Sequence, residues 1–468
     1  MHRIIKQVTS IKQNITEKLV FINHSCFLVE GTDSILLIDP WVEGTAFNHG
    51  WALLDSSTSN HELIEYLESS SKRVFVWYSH EHSDHFSTSF VLDLKKRNLD
   101  VVILFHQTRD KRVVQYLKSQ GLSVLEVSDG EEIAIGLEFS ICTWNFYSGD
   151  SYSLIRYKDI EILNLNDCDV RSHELMEELK RKIQPKTKEI SFLFTQFGYA
   201  NWIGNEDDSA KRAEAAMANR ERLRFQADSL KPKIIIPFAS FIYFCHQDNW
   251  YMNGEQNTPQ MIMESEELLP VRDQIRFLCP WQEIELNRNS QFAKDEAESK
   301  KALTHWETCL NQISECKDES KSVSEGDFID SIAQYVHLAN RKYRYLPFLL
   351  SALKVIKPIY VKTWEDNHVY KCSYSGKPKI QNGANHWDIS MSRSMAFFLF
   401  TREYGADTLS VSARFRCNSE DSYALWQEFF KIQIFMREGI GSDSFISALR
   451  TLAVYPTGKL MKILKKNN

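Results

Sequence analysis

Apolar positions in the first 290 residues come in short runs broken by turn-forming residues. "KLVFINHSCFLVE" (18–30) and "SILLIDPW" (34–41) predict two strands joined across "GTD". "ELIEYLESS" (62–70) has helical spacing and leads into "RVFVWY" (73–78), an unbroken run typical of a strand covered on both faces. The alternation continues with a helix at "TSFVLDLKKRN" (88–98), a strand at "DVVILFH" (100–106) and a helix at "RVVQYLKSQG" (112–121). "LSVLEVSDGEEI" (122–133), "LEFSICTW" (137–144) and "YSLIRYKDIEILNLND" (152–167) predict further strands. A charged helix over 172–185, a strand at "ISFLFTQF" (190–197), a long helix over 209–230 and a strand at "KPKIIIPFA" (231–239) follow. Strands in two groups with helices outside predict an α/β sandwich.

The pattern changes after residue 290. "NRNSQFAKDEAESKKA" (287–302) and "SECKDESKSVSEGD" (314–327) are charged and poor in large apolar residues, as in a linker that is partly helical. Beyond it, "IDSIAQYVHLANRKYRYLPFLLSAL" (329–353) predicts amphipathic helices. "VYKCSYSGKPKI" (369–380), "HWDISMS" (386–392), "AFFLFTRE" (396–403) and "LSVSARFRC" (409–417) predict strands, and 421–440 a helix. The expected organisation is a first domain over 1–290, a linker over 291–330 and a smaller α+β domain over 331–468. The length of 468 residues agrees, since a single core rarely extends that far.

Composition narrows the functional classes. A net charge of −6 without a Lys/Arg tract speaks against a nucleic-acid partner. No run of 18 apolar residues occurs, so no transmembrane segment is expected, and the opening residues do not read as a secretory signal. Nine scattered cysteines without CxxC spacing fit reduced thiols in a cytoplasmic protein and supply no zinc ribbon.

One stretch carries chemistry. "HEHSDH" (80–85) follows directly on the strand 73–78. His80 and His82, two apart past a strand end, can point to one side of an extended turn, while Asp84 and His85 reach a second point nearby. Imidazole and carboxylate together suit zinc, iron or manganese, and two such sets can hold two ions that share an oxygen. The competing reading is a solvated, histidine-rich loop.

H-x-H-x-D-H after a buried strand resembles the signature of the metallo-β-lactamase fold superfamily. "FINHSCFLVEGTDSILLIDPW" resembles the opening hairpin of its branch with ascorbate-6-phosphate lactonase and N-acylphosphatidylethanolamine phospholipase D. "ILNLNDC", "FLFTQFGYANWIGN" and "RLRFQADSLKPKIIIPFASFIYFCHQDNWYMN" resemble the catalytic part of CMP-N-acetylneuraminate hydroxylases, over about residues 20–290. The resemblance implies an αββα sandwich and two divalent metal ions held by His80, His82, Asp84, His85, Asp167 and His246. It also implies His24 and Asp39 in supporting positions, with Asp167 as the bridging carboxylate. Two features depart from the family. No histidine lies between 107 and 172, where a further ligand is expected, and Tyr147, Ser148 or Asp150 occupies the neighbourhood, Asp150 being the carboxylate candidate. No C-x-H…C-x-x-H pair for a Rieske cluster occurs in these residues.

Hydrolysis of a phosphoester, lactone, ester or amide by a metal-activated water is the leading expectation, with Asp84 as ligand and proton shuttle. Oxygen activation at two irons, with electrons from a separate redox partner, is the alternative that the hydroxylase resemblance implies. A metal-poor binding protein is the third. Asn201, Trp202, Asn249, Trp250 and Tyr251, in loops rich in amides and aromatics, are candidates to line a pocket for a small polar substrate, or to be ordinary packed loops. In the C-terminal unit, "HWD" at His386 reads as structural, and an antiparallel sheet fed by "MAFFLF" would suit a lipid-binding module of sterol-carrier type.

Overall fold

The computed structural model describes residues 17–286, 296–316, 322–381, 386–441 and 443–452. The amino-terminal stretch read for a signal, and residues 291–295 and 317–321 of the expected linker, lie outside them. Two sheets face each other. The first has seven strands in the order Gln282–Glu285, Lys18–Asn23, Cys26–Glu30, Ser34–Ile38, Arg73–Tyr78, Val101–His106 and Ser123–Val127. The second has six: Ile234–Phe238, Phe192–Gln196, Ile160–Asn164, Ser151–Tyr157, Phe139–Asn145 and Glu132–Gly136.

The unbroken apolar strands split their side chains between two cores, because successive residues point to opposite faces. From Arg73–Tyr78, Phe75 and Trp77 enter the space between the sheets, while Val74, Val76 and Tyr78 face the helices Asn60–Ser69, Thr88–Arg97 and Arg112–Ser119. Phe27 of one sheet stacks on Phe194 of the other at 4.3 Å. On the far side, Leu154, Leu163 and Leu193 pack under the helix His173–Ile183. Helix, sheet, sheet, helix: the αββα sandwich expected of a metallo-β-lactamase-type chain is what forms.

The helix Glu296–Leu310 docks onto this sandwich through Trp306, which stacks on Phe241 at 3.9 Å and donates Nε1–H to the Leu278 carbonyl at 2.9 Å. Residues from Phe328 onward form a separate core around a five-stranded mixed sheet. Here two expected strands are helices. "AFFLFTRE" falls in the helix Arg393–Thr401, started by Ser392 accepting from the Met395 N–H. "LSVSARFRC" contributes the helix Gly405–Ser412 and then only Arg416–Cys417 as strand. A short apolar run without flanking polar alternation fits a buried helix as well as a strand, and a serine cap decides for the helix. The apolar sheet expected from "MAFFLF" is therefore absent as read, since those residues supply helix packing. Among the described residues no helix is long and apolar enough to cross a membrane.

His305 of the docking helix lies 2.7 Å from the Asp55 carboxylate. That hydrogen bond lifts His305 to about 9, whereas Asp55, which burial would raise, is held near 2 by His305 and Ser57. The folded pKa of His305 exceeds its ordinary value of 6.5, so its contribution is full below that pH and is lost as pH rises through about 9. His305→Ala should cost about 1 kcal/mol near pH 6, read from denaturant midpoints, and nothing measurable well above pH 9. A pH-independent difference would contradict the pairing.

Candidate metal centre

Ser34–Ile38, Arg73–Tyr78 and Val101–His106 run parallel, so the residues that follow them emerge on one edge of the sheet. Asp39, the loop 79–85 and His106 collect there. Asn166 and Asp167 arrive from the opposite sheet, after the strand Ile160–Asn164. Asp39 and His24 leave their strands with φ of 40° and 37°, a left-handed state uncommon outside glycine that recurs at functional sites.

The Asp39 carboxylate has no solvent exposure and draws its partners from both sheets. It accepts from the Ser79 N–H at 2.7 Å, the Ser79 hydroxyl at 2.7 Å and the Asn166 amide at 2.8 Å. His85 Nδ1 lies 3.0 Å from it. With its Nδ1 proton on Asp39, His85 turns Nε2 toward Asp84 Oδ2 at 3.5 Å and Asp167 Oδ2 at 3.4 Å. His80 Nε2 lies 3.9 Å from Asp150 Oδ1, 4.0 Å from Asp167 Oδ2 and 2.9 Å from His82 Nδ1. His24 Nε2 lies 3.4 Å from Asp84 Oδ2.

The spacing fits shared ions. Ligand atoms at about 2.0–2.2 Å from one ion lie about 3–3.6 Å apart, longer than a charge-assisted hydrogen bond of about 2.7–2.9 Å. The His24–Asp84, His85–Asp84 and His85–Asp167 contacts have that looser spacing, in contrast to the 2.7 Å hydrogen bond between Asp55 and His305. Three buried atoms, His85 Nε2, Asp84 Oδ1 and His24 Nδ1, have no hydrogen-bond partner. An unsatisfied buried polar atom costs about 1–3 kcal/mol, which an ion coordinated by His85 Nε2 would remove at that atom. Two ligand sets result, His80/His82/Asp150 and His24/Asp84/His85, with His80/His85/Asp167 between them. Asp167 thus stands within reach of both positions. Of the residues in the neighbourhood of the missing histidine, Asp150 brings a carboxylate oxygen to 3.9 Å from His80 Nε2, while Tyr147 is 61% exposed.

The charges oppose one another strongly. Burial and the neighbouring His85 and His82 push His80 well below its usual value, leaving the neutral imidazole that a metal requires. Burial would lower His85 too, but the carboxylates of Asp84, Asp167 and Asp39 raise it well above its usual value. Asp84, against burial, is held far below the ordinary carboxylate range by His85 and His24. Burial lifts Asp150 to about 6. Metal binding at such a set displaces protons.

Other expected residues lie elsewhere. His246 is not brought to the cluster: its Nε2 faces Arg414 Nη2 at 2.8 Å and its Nδ1 faces Asp248 at 3.1 Å. A buried guanidinium beside that ring disfavours a cation there. Of the five pocket candidates, Asn201 lines a cleft of about 380 Å³ with His82, Asp84, Asp150 and Asp167. Trp202 instead stacks on Phe415 at 5.4 Å, and Asn249 is buried, donating to the Gly50 and Ser412 carbonyls. Tyr251 lies under Arg212 and Arg416, and Trp250 packs near Tyr243. Trp202, Asn249 and Tyr251 thus contact the C-terminal unit, and none of these four lines the cleft. His386 is exposed.

The sequence reading missed Ser79, Asn166, His106 and Asp407. His106, at its strand end, is buried and lowered to about 4 chiefly by burial, and it lies against the backbone of Gly149, in the turn that delivers Asp150. The run of parallel strands was its signal. Asp407 carried none, because it arrives from the C-terminal half.

No family model matches the chain. Among curated proteins it is similar to the cytidine monophosphate-N-acetylneuraminic acid hydroxylase of Danio rerio, 25% identical over 260 residues, covering 54% of this chain and 42% of that protein. The Mus musculus hydroxylase is 25% identical over 250 residues, covering 52% and 42%. The human protein, described as inactive, is 24% identical over 250 residues, covering 52% and 48%. The chain thus spans less than half the length of these relatives. Among solved structures, the diiron β-hydroxylase CmlA of Streptomyces venezuelae (14% identity, TM-score 0.35, 58% of this chain and 54% of that one) shares only a loose likeness. A hydrolase-like protein of Veillonella parvula (11%, TM-score 0.41, 58% and 100%) does the same. The resemblance to the hydroxylases read from the motifs is therefore present in the sequence comparison itself.

Two substitutions test the arrangement. Asp39→Asn weakens the hold on His85 and should lower metal affinity roughly 10–100-fold, whereas His246→Ala should leave the metal content per chain unchanged. Both are read by metal titration of chelator-treated protein. Full affinity in the first variant, or a lost ion in the second, would overturn the ligand assignment.

Proposed function

We propose that the chain is a dinuclear iron enzyme that hydroxylates a small polar molecule with dioxygen, using electrons from a separate donor. The observation that carries this reading is Asp150 beside His80, where the family pattern calls for a histidine. With Asp84 and Asp167 it gives each position a set of two histidines and one carboxylate, the donor combination of non-haem iron(II) oxygenases. The hydroxylases among the sequence relatives support the same chemistry.

Two irons would supply the redox chemistry: one oxygen atom enters a substrate C–H bond, the other leaves as water, and two electrons and two protons are consumed. The chain's residues do the rest. His80, His82 and Asp150 would hold one ion and Asp84, His85 and His24 the other, with Asp167 in reach of both. Asp84, kept ionised by His85 and His24, suits ligation better than proton transfer. Asn201, Asn219 and Gln196, along the cleft, would hydrogen-bond a hydroxylated substrate. Hydrolysis by a metal-activated water remains the second reading, favoured by the four histidines, His24, His80, His82 and His85, at the same centre.

Protein purified without added metal should contain about two irons per chain and, once chemically reduced, consume dioxygen. Two zinc ions with turnover of a generic phosphodiester would contradict the oxygenase and establish the hydrolase. No bound metal would sink both.

A further inference from the structure

The C-terminal half reaches the metal loop at two points. His82 turns Nδ1 toward His80 and the cluster, so its Nε2 faces outward, and Asp407 Oδ2 lies 3.4 Å from that Nε2. Arg437 holds Asp407 through Nη1 at 2.8 Å and approaches Glu81 at 3.7 Å, on the residue between the two histidines. Both charges sit where their helices favour them. Asp407 is in the first turn of Gly405–Ser412, and Arg437 ends the helix Glu420–Arg437. The approach also depends on Gly405, where a Cβ would stand 2.5 Å from the Leu399 carbonyl oxygen.

We propose that Asp407 is a positioning residue of the metal centre: its carboxylate fixes the Nε2–H tautomer of His82, so that Nδ1 is presented to the ion beside His80 and Asp150. A histidine ligand whose other ring nitrogen donates to a carboxylate is oriented and made more basic. The first metal position is then built from both halves of the chain and is incomplete until the C-terminal half is docked. This rests on the two-ion reading above, but not on whether the reaction is hydroxylation or hydrolysis.

Cobalt(II) titration of the metal-free full chain, followed by its visible absorption, tests the role without requiring turnover. The wild-type protein should bind two ions. Asp407→Ala should bind one of them with roughly 10–100-fold lower affinity and an altered spectrum for that ion, with the other unchanged. Asp407→Asn, which keeps the shape and a neutral acceptor, should fall between, and it carries the test if the alanine variant does not fold. Asn205→Ala removes a different contact between the halves, to the Cys417 backbone, and should leave both affinities intact. Two ions held equally by wild type and Asp407→Ala would overturn the role of Asp407 alone. An equal loss in Asn205→Ala would reduce it to docking. A wild-type chain that takes up no cobalt would sink the two-ion reading, and this inference with it.

Discussion

A carboxylate sealed from water must find every partner inside the protein, and Asp39 is that carboxylate. Its partners are the backbone and side chain of Ser79, the ring of His85 and the amide of Asn166. Ser79 begins the metal loop, His85 ends it, and Asn166 comes from the facing sheet beside Asp167. One buried charge therefore sets the loop's start, the direction of its last histidine and the register between the sheets. The left-handed backbone at Asp39 is the cost of aiming the carboxylate there.

The rest of the centre follows from topology. Parallel strands deliver their following residues to one edge, and the sandwich brings the second sheet's edge across from it. The α/β sandwich was legible because its strands are unbroken apolar runs between helices of regular spacing. The cluster at 80–85 was legible because its ligands are neighbours in sequence. Asp39, His24 and Asp167 lie far apart along the chain, and only their order in a known motif pattern suggested them.

What the sequence hid depends on distance along the chain. His246 has the spacing of a ligand, but Arg414 approaches from 168 residues away and takes its ring. Trp202 and Asn249 read as pocket residues, yet their partners, Phe415 and the Ser412 carbonyl, belong to the C-terminal half. Asp407 gave no local sign for the same reason. "MAFFLF" was misread because buried helices and buried strands share a composition, and a serine cap outweighed the apolar run.

The most direct test of the account is the anomalous diffraction of crystals grown with the native metal. Two peaks about 3.5–4 Å apart are predicted, one among His80, His82 and Asp150, the other among His24, Asp84 and His85, with Asp167 between them. A single peak, or an ion bound at His246, would contradict it.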